Sequence, residues 1–365
     1  MAKKEVLSLS ELLAKGAEKV KDIEFGFHDP SIWVHTGNYG LNHLISGDLF
    51  EGFPMGKTLI LAGESGAGKS YLACAMMREA QSQGILPVIL DSESSLDRRF
   101  LEAIGVNTDP DKLLYFGVAT VSQCQSIISN VLKGLDSIPE EERVPLLFVI
   151  DSLGMLLTEK EAKERDDGVM KADMGTKAKQ LRLFFRMITN QISKYNAGVV
   201  ATNHTYKGSD SYGNPLTHIS GGDGLIYAAS IVLMVSKKML KEDPKVVKSA
   251  VKGIKVKVKC LKTRFTQPFQ ILEMNLPYDG GLDPYSGLLE KFVAAGAIDK
   301  AGAGWYTIKE TGEKFQGDAK FIQYAPDFLK KVQSGEIRLD FQDYEHPGDG
   351  DGISGTVQQS LSEEK

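Results

Sequence analysis

The sequence predicts an α/β protein whose main body is a mostly parallel sheet flanked by helices. Three observations carry this reading. From Trp33 onward, short apolar runs alternate with segments of helical length; one run opens into a glycine-rich stretch ending in Lys-Ser; and after Ala229 the runs follow one another directly. Alternation implies parallel βα units buried on both faces, while direct succession implies an antiparallel extension of the same sheet.

Taken in order, residues 1–32 are expected to form a small N-terminal helical arm around the amphipathic LSLSELLAKGAEKVKDI. The core is expected over 33–277. Its strands are KTLILAG, LPVILDSE, DKLLYFG, VPLLFVIDS and AGVVATNH, followed by SIVLMVSKK, GIKVKVKCLK and QPFQILEMN. Between them, KADMGTKAKQLRLFFRMITNQISKYN spaces Leu181, Phe185, Ile188 and Ile192 as the inward stripe of an amphipathic helix. Over 278–335 a helix, a glycine-rich turn and a short strand pair predict a small C-terminal α+β module. Residues 336–365 carry eight acids against two bases and read as a disordered acidic tail.

Composition narrows the class further. The 365 residues are 42% hydrophobic and 25% charged, and no uninterrupted 18-residue apolar span is present to cross a bilayer. Cys74, Cys124 and Cys260 lie far apart without a C-x-x-C spacing, and MAKKEVLSLS has no signal-peptide pattern. A reducing, cytoplasmic setting is therefore expected, with the three thiols as small buried hydrophobes. The net charge of -5 excludes a uniformly basic coat, but it hides an asymmetry: eleven Lys or Arg stand against two acids between Lys237 and Arg264.

The most specific chemistry lies in Gly63-Glu64-Ser65-Gly66-Ala67-Gly68-Lys69-Ser70, which spells G-x-x-x-x-G-K-S between a strand ending at Ala62 and a helix from Lys69 to Gln83. Glycines let such a loop wrap with its N–H groups aimed at a polyphosphate, Lys69 supplies a cation, and the Ser70 hydroxyl can sit on Mg²⁺. The pattern predicts a polyphosphate-binding loop, a P-loop. A metal needs an acid as well, and Asp151 closes the apolar strand LLFVID at the end that faces a ligand crevice; Ser152 is expected to steady it. Glu93, near the end of the strand VILDSES, is expected to orient an attacking water, with Asp91 two residues earlier on the same face.

The ordered series EGFPMGKTLILAGESGAGKS, DSESSLD, LLFVIDSLG, ATNHTY, SGGDGLIYAAS and KTRFTQPFQ resembles the RecA-type homologous-recombination ATPases from about Gly40 to Trp305. The segment GGLDPYSGLL...GAGWYTI is similar to the branch found in T4-type bacteriophages. The resemblance implies a RecA-like core using ATP and Mg²⁺, with Lys69 and Ser70 on phosphate and metal, Asp151 as Walker B acid and Glu93 as the water-activating base. It implies a γ-phosphate sensor at Asn203, His204 or both, where bacterial members carry glutamine. It further implies that Lys262 and Arg264, two apart and on one strand face, reach the ATP of a neighbouring subunit.

DNA contact is implied in two loops, about 159–171 and 205–220. The first carries Lys160, Lys163, Arg165 and Lys171 among five acids, so charge alone does not mark it. In the second, Tyr206 and Tyr212 could stack or wedge and Lys207 could meet phosphate. The expected partners are single-stranded DNA, homologous duplex DNA, further copies of the chain in a helical filament, and single-strand-binding and mediator proteins. The expected activity is DNA-stimulated ATP hydrolysis coupled to pairing and strand exchange. Two other readings compete: a ring-forming helicase on the same core, and a DNA scaffold that binds nucleotide without turnover.

Overall fold

The computed structural model describes residues 29–168, 175–209, 215–238, 253–277, 281–339 and 341. The expected N-terminal arm and nearly all of the acidic tail lie outside these residues. A short antiparallel ribbon, β1 (Trp33–Val34) with β2 (Phe53–Pro54), brackets the helix α1 (Tyr39–Ser46) and leads into the main sheet. There follow β3 (Thr58–Gly63), α2 (Lys69–Ser82), β4 (Leu86–Asp91), α3 (Arg98–Ile104), β5 (Leu114–Gly117), α4 (Val121–Gly134) and β6 (Leu146–Asp151). Next come α5 (Glu159–Asp166), α6 (Thr176–Lys194), β7 (Gly198–Ser209), β8 (Pro215–Ile219), α7 (Asp223–Ala228), β9 (Ile231–Lys238), β10 (Gly253–Lys262) and β11 (Ile271–Pro277).

Strand order is β11-β10-β9-β3-β7-β6-β4-β5, with β8 paired to the outer half of β7. From β9 to β5 the pairings are parallel; β10 runs antiparallel to both β9 and β11, as the directly succeeding runs imply. Both faces are buried because the strands alternate between two cores. Leu59 and Leu61 of β3 and Leu147 and Val149 of β6 face one; Ile60, Ala62, Phe148 and Ile150 face the other. The stripe Leu181, Phe185, Ile188 and Ile192 of α6 packs into the second core, joined by Phe184. All three cysteines are buried, and burial pushes their thiols up, in keeping with their reading as small hydrophobes.

The C-terminal elements α8 (Leu288–Ala294), β12 (Ile298–Lys300), β13 (Trp305–Ile308), β14 (Lys314–Gln316) and α9 (Asp318–Ser334) enclose a third core around Phe292, Phe315 and Phe321. Asn38 fastens them to the main body. Its side chain accepts from the Leu41 N–H as the cap of α1 and donates to the carbonyls of Asp283 and Ser286. Beside it, buried His43 meets the Lys291 ammonium at 3.0 Å through Nδ1, with the Phe341 ring packed on the imidazole. Burial, then the Lys291 charge, push His43 down to about 3, so the imidazole is neutral and accepts.

This depressed value fixes a pH dependence. His43 favours the folded state above its ordinary 6.5, and that stability is lost as pH falls from 6.5 toward about 3, where protonation would set a second cation against Lys291. The variant His43→Asn keeps an acceptor without a titration. Thermal unfolding across pH 4 to 7 is expected to show the wild type losing more stability than His43→Asn as pH drops below about 6.5.

Candidate active site

Parallel pairing brings four strand ends together. In sheet order β3, β7, β6 and β4 present the P-loop, Asn203-His204, Asp151-Ser152 and Asp91 to Glu93, with Gly63 level with His204 and Asp91 level with Asp151. Neighbouring strands lie about 4.8 Å apart, so these groups share one crevice at the carboxyl edge of the sheet.

The P-loop is a turn that only glycine can make at its tightest point. Gly68 has φ 94°, and a Cβ there would come 2.3 Å from Leu276 Cδ1 of β11. Buried Lys69 folds back to donate to the carbonyls of Gly63 and Glu64 at 3.0 and 2.9 Å. Burial lowers its pKa against the opposing pull of Asp151, Glu93 and Glu64. Glu64, Ser65 and Gly66 are exposed, while Ala67 is buried. Sequence reading missed Lys237 of β9, whose ammonium lies 2.8 Å from where a Cβ on Gly66 would stand.

Asp151 is buried, and burial raises its carboxyl above the usual range against the lowering effect of the nearby Thr202 and Ser70 hydroxyls. Thr202 donates to Oδ1, while Oδ2 is buried with no hydrogen-bond partner. A half-satisfied buried carboxylate beside the Ser70 hydroxyl is a donor set that fits a hard divalent cation such as Mg²⁺. Ser152 does not steady Asp151, as the sequence suggested. Its hydroxyl donates to Glu93 Oε1 at 2.5 Å, and Thr202, one strand over, takes the expected role.

Asp91 and Glu93 divide the labour that their spacing left open. The strand ends at Asp91, so the two side chains do not share a face. Asp91 accepts the N–H groups of Glu93, Ser94, Ser95 and Leu96 at 2.8 to 3.2 Å, and the Tyr115 hydroxyl at 2.6 Å. It folds the turn; Glu93 is what the turn presents. Glu93 Oε1 also meets His204 Nε2 at 2.8 Å. Ser92 ties the turn to β6 by exchanging hydrogen bonds with Ser152 at 2.8 and 2.9 Å.

His204 and Asn203 likewise separate. Asn203 is fully buried, donates to the Ser220 carbonyl at 2.7 Å and accepts the His204 N–H, closing the base of the β7–β8 hairpin. His204 is half-buried, and of the two it is the one that reaches the crevice. It packs so closely on Gly154 that a Cβ there would lie 2.8 Å from its ring.

The two stretches expected to contact DNA differ in structure from the loops expected. The first begins as α5, because Thr158 and Glu161 form a reciprocal capping box. On it, Lys160 pairs with Glu164 at 3.8 Å and Arg165 with Asp166 at 2.8 Å, and Lys163 is exposed. The second is a β-hairpin whose register runs from Thr205 with Ile219 to Ser209 with Pro215. Exposed Tyr206 stacks on His218 across the hairpin, ring centroids 5.3 Å apart, and Lys207 is exposed. Lys171 and Tyr212 lie outside the described residues.

Lys262 and Arg264 do not join the crevice of their own chain. Lys262 is level with Val232, near the amino end of β9, whereas Lys237 at the other end borders the P-loop. Five residues of strand put that step about 17 Å away. Nor do the two cations share a face: β10 ends at Lys262, which turns inward to donate to the carbonyls of Ile226, Tyr227 and Ala229 at 2.9, 2.8 and 2.7 Å, while Arg264 is exposed. Burial and Arg264 push the Lys262 ammonium down to about 8. On the same strand, Lys255 pairs with Glu273 at 3.2 Å.

Removing the Asp91 carboxylate leaves a turn of unpartnered N–H groups. Asp91→Ala is expected to cost about 3 kcal/mol in urea unfolding and to open residues 92–97 to proteolysis; a cost under about 1 kcal/mol would contradict this role.

Comparison with known proteins agrees with this geometry. The profile of the RecA N-terminal domain matches residues 24–283. The recombination and repair protein of Enterobacteria phage T4 is 31% identical over 279 residues, covering 75% of this chain and 67% of that protein. The protein RecA of Thermus aquaticus is 29% identical over 307 residues, covering 82% of this chain and 83% of its own length, and that of Leptospira meyeri is 29% identical over 312 residues, covering 82% and 73%. The strand order, the P-loop and the profile match together establish that this chain belongs to the RecA family.

Proposed function

We propose that this chain is an ATP-dependent recombinase that forms a filament on single-stranded DNA and promotes homologous pairing and strand exchange in recombination and repair. The observation that carries the reading is the Glu93–His204 contact, which joins the candidate base to the root of the β7–β8 hairpin. A group that activates water and a group that begins the hairpin share one hydrogen bond. ATP chemistry and DNA contact are thereby linked in one chain.

The triphosphate binds over Gly63 to Ser70, held by loop N–H groups and the Lys69 ammonium once it leaves the Gly63 and Glu64 carbonyls. Ser70 and Asp151 would hold Mg²⁺, which when bound offsets phosphate charge. Glu93 accepts a proton from water as its oxygen attacks the γ-phosphorus; the bond to the bridging oxygen breaks, and ADP and phosphate leave. His204 exchanges its Glu93 bond for the γ-phosphate, and through Asn203 and Ser220 the hairpin responds. Lys207 meets phosphate, and Tyr206 offers a stacking face backed by His218.

Lys262 and Arg264 serve the neighbouring copy. Their position at the amino end of the sheet supports this, since one chain cannot bring them to its own P-loop. ATP is then gripped from two sides in a polymer, which favours a filament over a nucleotide-binding scaffold. Among the described residues no helix is long and apolar enough to cross a membrane.

ATP turnover is expected to rise when single-stranded DNA is added, and negative-stain images of the same sample should show helical filaments; closed rings would favour the helicase reading. Glu93→Gln is expected to keep ATP and DNA binding and to lose turnover by about 10²- to 10⁴-fold. Unchanged turnover would remove Glu93 from the mechanism. DNA affinity should fall with salt at a log-log slope of about -0.7 per neutralised phosphate, and a flat response would argue against backbone contact.

A further inference from the structure

Lys262 has three N–H donors, and the structure gives each a carbonyl at the C-terminal end of α7: Ile226, Tyr227 and Ala229. A cation there offsets the partial negative charge of unsatisfied helix carbonyls. The helix leads back to the hairpin. It starts three residues after Ser220, whose N–H donates to the His204 carbonyl at 2.9 Å and whose carbonyl accepts from Asn203. Its flank packs along α6, with Leu225 in the same core as Leu181. One short rod therefore has Lys262 at its far end, and the hairpin base and His204 at its near end.

We propose that Lys262 is a positioning residue that clamps α7 in its own chain and releases it when its ammonium moves to the triphosphate of the neighbouring copy, so that nucleotide held next door resets this chain's hairpin and, through His204, its Glu93. The two engagements exclude each other, because an ammonium whose three donors are all spent on helix carbonyls has none for phosphate. This makes α7 a two-position element biased from either side, which coupling between sites requires. Arg264, exposed and with no helix-end contact among the described residues, has no such second duty. The inference rests on the reading that Lys262 and Arg264 reach a neighbour's ATP.

Hydrogen exchange on the full-length chain tests it, with and without a slowly hydrolysed ATP analogue, Mg²⁺ and single-stranded DNA. Wild-type amides over 223–229 should exchange at least about tenfold faster in the assembled filament, as expected when charge-assisted hydrogen bonds are withdrawn. Lys262→Met, which keeps the aliphatic stem, should show the faster exchange in the absence of nucleotide and no further change on assembly. Lys262→Arg, which restores charge and donors, should return protection. Should Lys262→Met fold poorly, Lys262→Gln serves the same comparison. Arg264→Ala should leave α7 protected in the absence of nucleotide while lowering ATP turnover.

The two failures look different. Wild-type protection over 223–229 in Lys262→Met would overturn the clamp whatever Arg264→Ala does. Unchanged turnover in Arg264→Ala would overturn the neighbour contact itself. A clamp lost in Lys262→Met but unaltered by filament assembly in the wild type would overturn the release.

Discussion

The register of four parallel strands governs everything else in this protein. Strands buried on both faces have no water to pair their backbone groups, so β3, β7, β6 and β4 must align hydrogen bond for hydrogen bond. That alignment fixes which residues emerge together at the carboxyl edge. Gly63 opens the P-loop level with His204, and Asp91 ends level with Asp151. A slip of one residue on β7 would turn His204 away from Glu93 and point Thr202 away from Asp151.

Around that frame the polar groups work in pairs, one building and one acting. Asp91 accepts four N–H groups so that Glu93 can be free of them. Asn203 pins the hairpin base so that His204 can face the crevice. Thr202 holds one oxygen of Asp151 and leaves Oδ2 without a hydrogen-bond partner, the position in which the proposed metal would bind. The division has an electrostatic basis: a buried acceptor with every partner in place is inert, while one with a single open position is ready for a ligand. The same logic distinguishes Lys69 from Lys262. The first donates to carbonyls of its own loop; the second donates to a helix end toward the amino edge of the sheet.

Where the sequence reading went astray, the cause was a contact that sequence spacing cannot carry. The stretch 159–171 was expected as a loop because the family resemblance implies one there, yet Thr158 and Glu161 cap each other and start α5. Lys262 and Arg264 were expected on one strand face, but β10 stops at Lys262 and the alternation stops with it. Ser152 was expected to serve Asp151, and the end of β6 turns it to Glu93 instead. Tyr206 stacks on His218 across a hairpin register that no local pattern announces.

The sequence by itself determined the α/β class, the P-loop pattern and the acid at the end of β6, because apolar runs, glycine spacing and strand-end position are local signals, while the grouping of Glu93 with Asn203 and His204 came from the family resemblance. Only the tertiary structure decided which member of each neighbouring pair builds and which acts. That choice depends on partners supplied from other strands and helices: Tyr115 for Asp91, Ser220 for Asn203, the carbonyls of α7 for Lys262. Hydrogen bonds between distant segments exist only once burial has brought the segments together, and the chain's linear order does not encode their geometry.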